Sequence, residues 1–223
     1  MKTCILIPTY NEEAAIGGLV MALKPYALDV FVSDDGSADQ TVACAQKSGA
    51  HVLKHAQRTG KGATLIRGFH HVMNLGYNGI IMMDGDGQHA PTDIPQFLEA
   101  IAKNPKCILV GNRLHDPKNM PRSRLWTNRM MSAIISAGCG QKIPDTQSGF
   151  RYVHVDILNA LNIQSRAYEI ETELLMKASK KGYVINSVPI QTIYGDEKSK
   201  INPIADGMRF IKYYFKEIFT PRS

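Results

Sequence analysis

Ile80–His89 reads IIMMDGDGQH, four apolar residues running straight into Asp84-Gly85-Asp86-Gly87-Gln88. The apolar run is short enough for a buried strand and is closed by a turn signal. Two carboxylates therefore emerge where the strand ends, on a loop whose glycines let the backbone approach a ligand closely. Hard oxygen donors at Asp84 and Asp86, with a carbonyl donor at Gln88, suit a divalent cation that keeps positions open for phosphate oxygens. The same residues also make an ordinary Asp/Gly turn. The flanking sequence has to decide.

Upstream, apolar runs alternate with helical patterns. Cys4–Pro8 reads as a strand, and Asn11-Glu12-Glu13 opens an amphipathic helix to about Leu23. Val30–Ser33 is the next strand, after which Ser37 caps a helix through Lys47 with Gly49 as its stop. His51–His55 is a short strand, Gly60–Gly62 opens a helix ending before Gly76, and Gly79–Met83 delivers Asp84. Pro91–Lys103 is helical and Ile108–Gly111 extended. This order predicts an α/β fold, a mostly parallel central sheet with helices on both faces. Ligands bind beyond the carboxyl ends of such strands. Asn11, Asp34, Asp35, Asp84 and Asp86 all fall there. Downstream, Arg122–Gly138, Glu171–Lys181 and Pro203–Phe219 read as helices, with Ser148–Val153 and Tyr183–Tyr194 extended. No repeat or linker divides the chain, so a single domain is expected.

The 223 residues can bury a substantial core, and 44% hydrophobic with 21% charged residues is ordinary for a soluble globular protein. A net charge of +6 favours anionic partners. No interleaved aromatic and basic motif points to nucleic acid. Cys4, Cys44, Cys107 and Cys139 are scattered without a CxxC pair, which reads as reduced thiols in a cytoplasmic protein. Strand-like sequence follows Met1 almost at once, so no secretory signal is expected. No apolar run approaches the roughly 20 residues needed to span a bilayer. The expectation is a soluble protein, at most peripheral on the cytoplasmic face of a membrane.

Asp34-Asp35-Gly36-Ser37 ends the second strand. A carboxylate there accepts hydrogen bonds from a ribose or a base edge, or simply caps a helix. Arg58-Thr59-Gly60-Lys61-Gly62 departs from the P-loop pattern, since Gly62 stands where Ser or Thr is required. It still presents N–H groups and a cation at a helix N-terminus.

The ordered series Pro8-Thr9-Tyr10-Asn11-Glu12-Glu13, Asp34-Asp35-Gly36-Ser37 and Asp84-Gly85-Asp86-Gly87-Gln88-His89 resembles the GT-A glycosyltransferases of family 2. The likeness continues through Gly60-Lys61-Gly62, Gly111-Asn112-Arg113, Asp145-Thr146-Gln147-Ser148-Gly149-Phe150-Arg151, Glu169–Glu173, Val188-Pro189-Ile190, Tyr194-Gly195 and Lys198-Ser199-Lys200-Ile201. The whole series is similar to the dolichol- and polyprenol-phosphate mannose synthase branch, from Ile7 to about Lys212. Gly85 and Gly87 depart from it, standing where bulkier residues are common, as does Asn112 where Ser is more usual.

The resemblance implies a metal-dependent, inverting transfer of a sugar from a UDP- or GDP-sugar to a polyprenyl or dolichyl phosphate. Residues 1–115 would form the nucleotide-sugar half, 116–202 the acceptor half and 203–223 a C-terminal amphipathic helix. Pro8, Tyr10, Glu12 and Asp35 would surround the nucleoside, with Lys61 beside the donor. Asp84, Asp86 and Gln88 would hold magnesium or manganese (Mg2+ or Mn2+) against the diphosphate. Arg113 and Arg129 would face the acceptor phosphate, with Lys200 binding a phosphate group. The missing membrane span leaves room for a separate anchoring partner.

An anionic acceptor needs no general base, and arginines that position it suffice. A hydroxyl acceptor would require a carboxylate base, and Glu171 or Asp145 is the candidate. Both also have structural readings, Asp145 pairing with Arg151 and Glu171 capping its helix. A haloacid-dehalogenase-type phosphatase also uses an apolar run followed by DxDG, but on its first strand, whereas two strands with their own motifs precede this one. A calcium loop is excluded, since Pro95 stands where its twelfth-position Glu belongs.

In the last helix Met208, Ile211, Phe215, Ile218 and Phe219 recur at helical spacing, with Arg209, Lys212, Lys216, Tyr213 and Tyr214 between them. The apolar stripe is expected to pack on the domain. The basic and tyrosine face is left as the one to meet lipid. His89 is expected in a solvent-exposed loop or beside the metal.

Overall fold

The computed structural model describes residues 1–118, 120–193 and 203–219, the first five of the last span as backbone only. Tyr194-Gly195 and Lys198–Ile201, Lys200 among them, lie outside the described residues. Seven strands form one sheet: β1 Thr3–Thr9, β2 Asp29–Asp34, β3 His51–Lys54, β4 Gly79–Met82, β5 Ile108–Asn112, β6 Arg151–His154 and β7 Ile185–Pro189. The helices are α1 Glu13–Leu23, α2 Thr41–Lys47, α3 Lys61–Asn74, α4 Ile94–Lys103, α5 Arg122–Cys139, α6 Val155–Leu161, α7 Ile170–Lys180 and α8 Pro203–Phe219.

Strand order is β3-β2-β1-β4-β6-β5-β7, and β6 alone runs antiparallel to its neighbours β4 and β5. The mostly parallel α/β sheet is thus as expected. The central strands are apolar on both sides because helices cover both faces. Along β1 the side chains alternate: Leu6 packs with Leu65 and Phe69 of α3, while Ile5 and Ile7 pack with Ile16 of α1 and Phe97 of α4. β1, β2 and β4 are parallel neighbours, so their carboxyl ends set the loops after Thr9, Asp34 and Met82 side by side.

Three local expectations are corrected. Ser37 does not cap α2, which begins at Thr41. The Ser37 N–H and hydroxyl go instead to Asp34, closing a tight Asx-type turn, and the Thr41 N–H is taken by Asp39 at 3.0 Å. A short helix that the pattern did not announce, α6, follows β6 directly. The His154 ring accepts the Asp156 N–H at its start.

The last correction concerns α8. Its inward face is Phe210, Tyr213, Tyr214 and Glu217. The Tyr214 hydroxyl donates to the Ile134 carbonyl of α5 at 2.9 Å, and Lys180 of α7 pairs with the buried Glu217 at 3.0 Å. The apolar stripe from Met208 to Phe219 faces outward. The tyrosines pack because their hydroxyls find partners at the helix interface, which an aliphatic stripe does not require.

Among the described residues no helix is long and apolar enough to cross a membrane.

Candidate active site

The loop after β4 is held by its own histidine. The Asp84 N–H donates to His89 Nδ1 at 3.2 Å, so the neutral ring carries its proton on Nε2, 3.8 Å from Asp84 Oδ2. His89 is buried, which removes the solvent-exposed alternative, and burial lowers its pKa. Its ring stacks on Phe150, which stacks on Phe97 of α4 with centroids 4.4 Å apart. The strap after β7 closes over the same loop, the Ile193 N–H donating to the Gln88 carbonyl at 3.0 Å. Gly85 is required where it stands, because a Cβ there would lie 2.7 Å from Thr9 Cγ2.

Asp84 sits at a junction of charges. Lys61 Nζ lies 2.6 Å from Asp84 Oδ1 and 2.6 Å from Glu171 Oε1, joining the starts of α3 and α7 to the β4 loop. Apolar side chains of Leu65, Phe69, Met82 and Leu174 floor this cluster. Burial alone would raise the Asp84 carboxyl. The Lys61 ammonium, with lesser help from His89 and Arg113, overcomes it and holds the pKa well below the usual carboxylate range. The same pairs push the Lys61 ammonium upward against its own desolvation. Lys61 is therefore committed to carboxylates, and the N–H groups before it are committed as well. Asp35 accepts from the Thr59 N–H at 2.8 Å, the Thr59 hydroxyl at 2.9 Å and the Gly60 N–H at 2.8 Å. The anion at this helix start is a side chain of the protein.

The loop after β1 is stitched to the loop after β2. The Asn11 N–H donates to Ser37 Oγ at 2.9 Å, and the Glu12 N–H to Thr41 Oγ1 at 2.7 Å. Asn11 adopts φ of 52°, a left-handed conformation that Asn tolerates. Tyr10 is half-buried, with the Arg58 guanidinium 4.1 Å above its ring. Pro8, Tyr10, Glu12, Asp35 and Asp84 thus line one edge of the sheet.

On the other side Arg113 is buried and bidentate to Asp145, Nε to Oδ2 at 2.7 Å and Nη2 to Oδ1 at 2.9 Å. Asp145 also accepts the Arg113 and Gln147 N–H groups. The structural alternative for Asp145 thus holds with a different partner, Arg113 in place of Arg151. Arg151 is 1% exposed and donates to the carbonyls of Ser148, Thr146 and Glu171, each at 2.7 Å. One guanidinium thereby fixes the 145–149 loop and the first turn of α7. Glu171 lies inside that turn and does not cap it, its carboxylate reaching Lys61 and, at 3.6 Å, Arg151. Arg129 is on the exposed side of α5, whereas Arg113 is buried.

His89 as the loop's clasp and Arg151 as its organiser were not evident from the sequence. Neither carries a local signal, since their partners come from other elements. Gly149 is a third such residue: a Cβ there would lie 2.2 Å from Asp84 Oδ2 and 2.7 Å from its Cγ. Gly149→Ala is expected to swing Asp84 off Lys61 and lower kcat/KM about a hundredfold, the scale of a displacement near 1 Å. Steady-state kinetics beside an unchanged far-ultraviolet dichroism spectrum would check it.

A divalent cation fits the donors present. Asp86 and Gln88 are half-buried oxygen donors on the edge loop, and the Gln88 N–H donating to Asp86 Oδ1 at 3.0 Å holds them in line. Among the described residues no three His, Cys, Asp or Glu side chains converge. Mg2+ keeps water and phosphate oxygens among its ligands and takes only one or two carboxylates from the protein, a donor that Asp86 can supply.

A mostly parallel sheet with acidic loops at its carboxyl edge is the arrangement that GT-A glycosyltransferases share. The profile of glycosyl transferase family 2 matches residues 4–161, and the chain belongs to that family. The UDP-N-acetylglucosamine–dolichyl-phosphate N-acetylglucosaminyltransferase of Methanococcus voltae is 33% identical, over 85% of this chain and 85% of that protein. The undecaprenyl-phosphate mannosyltransferase of Micrococcus luteus is 29% identical over 85% and 83%. In fold, glucosyl-3-phosphoglycerate synthase of Mycobacterium tuberculosis, solved with UDP, aligns with a TM-score of 0.80 at 21% identity, over 100% of this chain and 82% of that one. The same synthase has been solved with Mn2+, UDP and phosphoglyceric acid, with a TM-score of 0.76.

Proposed function

We propose that this glycosyltransferase moves a sugar, with inversion, from a nucleoside-diphosphate sugar to a polyprenyl or dolichyl phosphate. The observation that carries this reading is the state of the two candidate bases. Asp145 spends both oxygens on the Arg113 guanidinium, and Glu171 is held by Lys61 and Arg151. Neither is poised to take a proton from a hydroxyl. An acceptor phosphate is already anionic and requires no base. The dolichyl- and undecaprenyl-phosphate transferases among the relatives support the same acceptor class. They lend nothing to a separate anchoring partner.

In this reading residues 1–115 hold the donor and 116–202 receive the acceptor. Pro8, Tyr10 and Glu12 border the nucleoside, while Asp35 keeps the 59–60 turn beneath it. Three of the roughly four acceptor positions of the Asp35 carboxylate are taken, which leaves room for one contact with the ligand. Asp86 and Gln88, with Asp84 behind them, would hold Mg2+ or Mn2+. Bound there, the ion would neutralise charge developing on the departing diphosphate. The acceptor phosphate oxygen attacks the anomeric carbon, its new C–O bond replacing the bond to the diphosphate, and no proton needs to move. Arg129, exposed on α5, supplies positive charge on the acceptor side, and Arg113 keeps Asp145 from acting as a base.

Incubation with radiolabelled UDP- and GDP-sugars, undecaprenyl phosphate and Mn2+ is expected to give a lipid-extractable product with one donor. Absence of such a product with every donor would overturn the acceptor assignment.

A further inference from the structure

The outward face of α8 is apolar. Met208, Ile211, Phe215, Ile218 and Phe219 are 63, 54, 54, 42 and 79% exposed. At 100° per residue they fall within about a quarter of the helix circumference, opposite the half-buried Phe210 and Tyr213 and the buried Glu217. Arg209, Lys212 and Lys216 border the stripe along one side. A soluble helix has its apolar stripe inward, and this one has a second stripe turned to solvent.

The stripe also has a route to the site. Tyr214 anchors α8 at the Ile134 carbonyl of α5. At the start of α5, Arg124 Nη2 reaches Gln88 Oε1 at 3.4 Å. The ten residues between are about 15 Å of helix, and along them Trp126 is 67% and Met130 39% exposed. Trp is well suited to the boundary between headgroups and acyl chains.

We propose that the outer stripe of α8 lies in the headgroup region of an anionic lipid bilayer, with α5 leading from that surface to the site. A second copy of the chain is the rival occupant. The basic border argues against it, since antiparallel pairing of two such faces would oppose like charges and parallel pairing would give the border no counter-charge. An anionic lipid surface complements both the apolar stripe and its border. This rests on the acceptor reading only for the use of the surface, and not for its existence.

The test is co-sedimentation of the full chain with vesicles of phosphatidylglycerol and phosphatidylcholine that contain no polyprenyl phosphate. Binding is expected, falling at least tenfold in Ile211→Glu/Phe215→Glu and several-fold with pure phosphatidylcholine or high salt. The double variant should keep the wild-type UDP-sugar and Mn2+ thermal shift, showing an intact fold and donor site. Sedimentation of the double variant equal to wild type would overturn the proposal. So would a wild-type dimer in lipid-free buffer that this variant converts to monomer without loss of vesicle binding. Failure of the transferase assay leaves the vesicle result standing, so the two readings fall separately.

Discussion

Asp86→Ala is expected to lower kcat/KM by about a thousandfold, the scale of losing a Lewis acid that stabilises the leaving diphosphate by several kcal/mol. Asp86 is a half-buried carboxylate on the edge loop, and its replacement leaves the His89 clasp, the Lys61 pairs and the Phe150 stack in place. The fold should therefore survive. Thermal shift separates the two effects. The wild-type melting temperature should rise with a nucleotide sugar plus Mn2+ more than with either alone, because ligands that bind the native state stabilise it by mass action. The variant should keep the baseline temperature and lose the Mn2+-dependent increment. If donor affinity and its metal dependence persist in Asp86→Ala, the assignment of this loop is wrong.

Asp145→Ala should act through stability. Arg113 would be left buried at 7% exposure without its counter-ion, together with two N–H groups that lose their acceptor. Breaking a buried pair from one side costs about 3–5 kcal/mol, since the uncompensated charge stays behind. For a chain of this size that corresponds to a drop of roughly 10 °C in Tm. Adding Arg113→Met should recover much of it, because removing both partners leaves no stranded charge. A catalytic base behaves differently, with a normal melting temperature and a collapsed kcat. Calorimetry on the single and double variants distinguishes the two roles.

β1, β2, β4 and β5 were legible because each is an apolar run stopped by Asp, Gly or Pro. The acidic loops could be placed because parallel strands in such folds all deliver their carboxyl ends to one edge. Side-chain partnerships were not legible. Lys61 meets Glu171 across 110 residues and Arg113 meets Asp145 across 32, and a local pattern carries no information about such pairings. The period of α8 was readable, but periodicity defines a stripe without saying which way it points. Its direction was set by the partners of Tyr214 on α5 and Glu217 on α7. The start of α2 was misread for a related reason: Ser37 is a good cap by type, but Asp34 claims it first.

The antiparallel strand β6 has a consequence for how the molecule comes into being. It inserts between β4 and β5, so residues 151–154 complete the sheet in the middle of what the first hundred residues began. As the chain leaves the ribosome, β4 waits with an open apolar edge until some seventy further residues have been made. An unpaired edge is a template for pairing with another chain, which makes this interval the exposed phase of synthesis. The first 115 residues and those that follow are thus consecutive along the chain and interleaved in the sheet, so neither segment closes the sheet without the other.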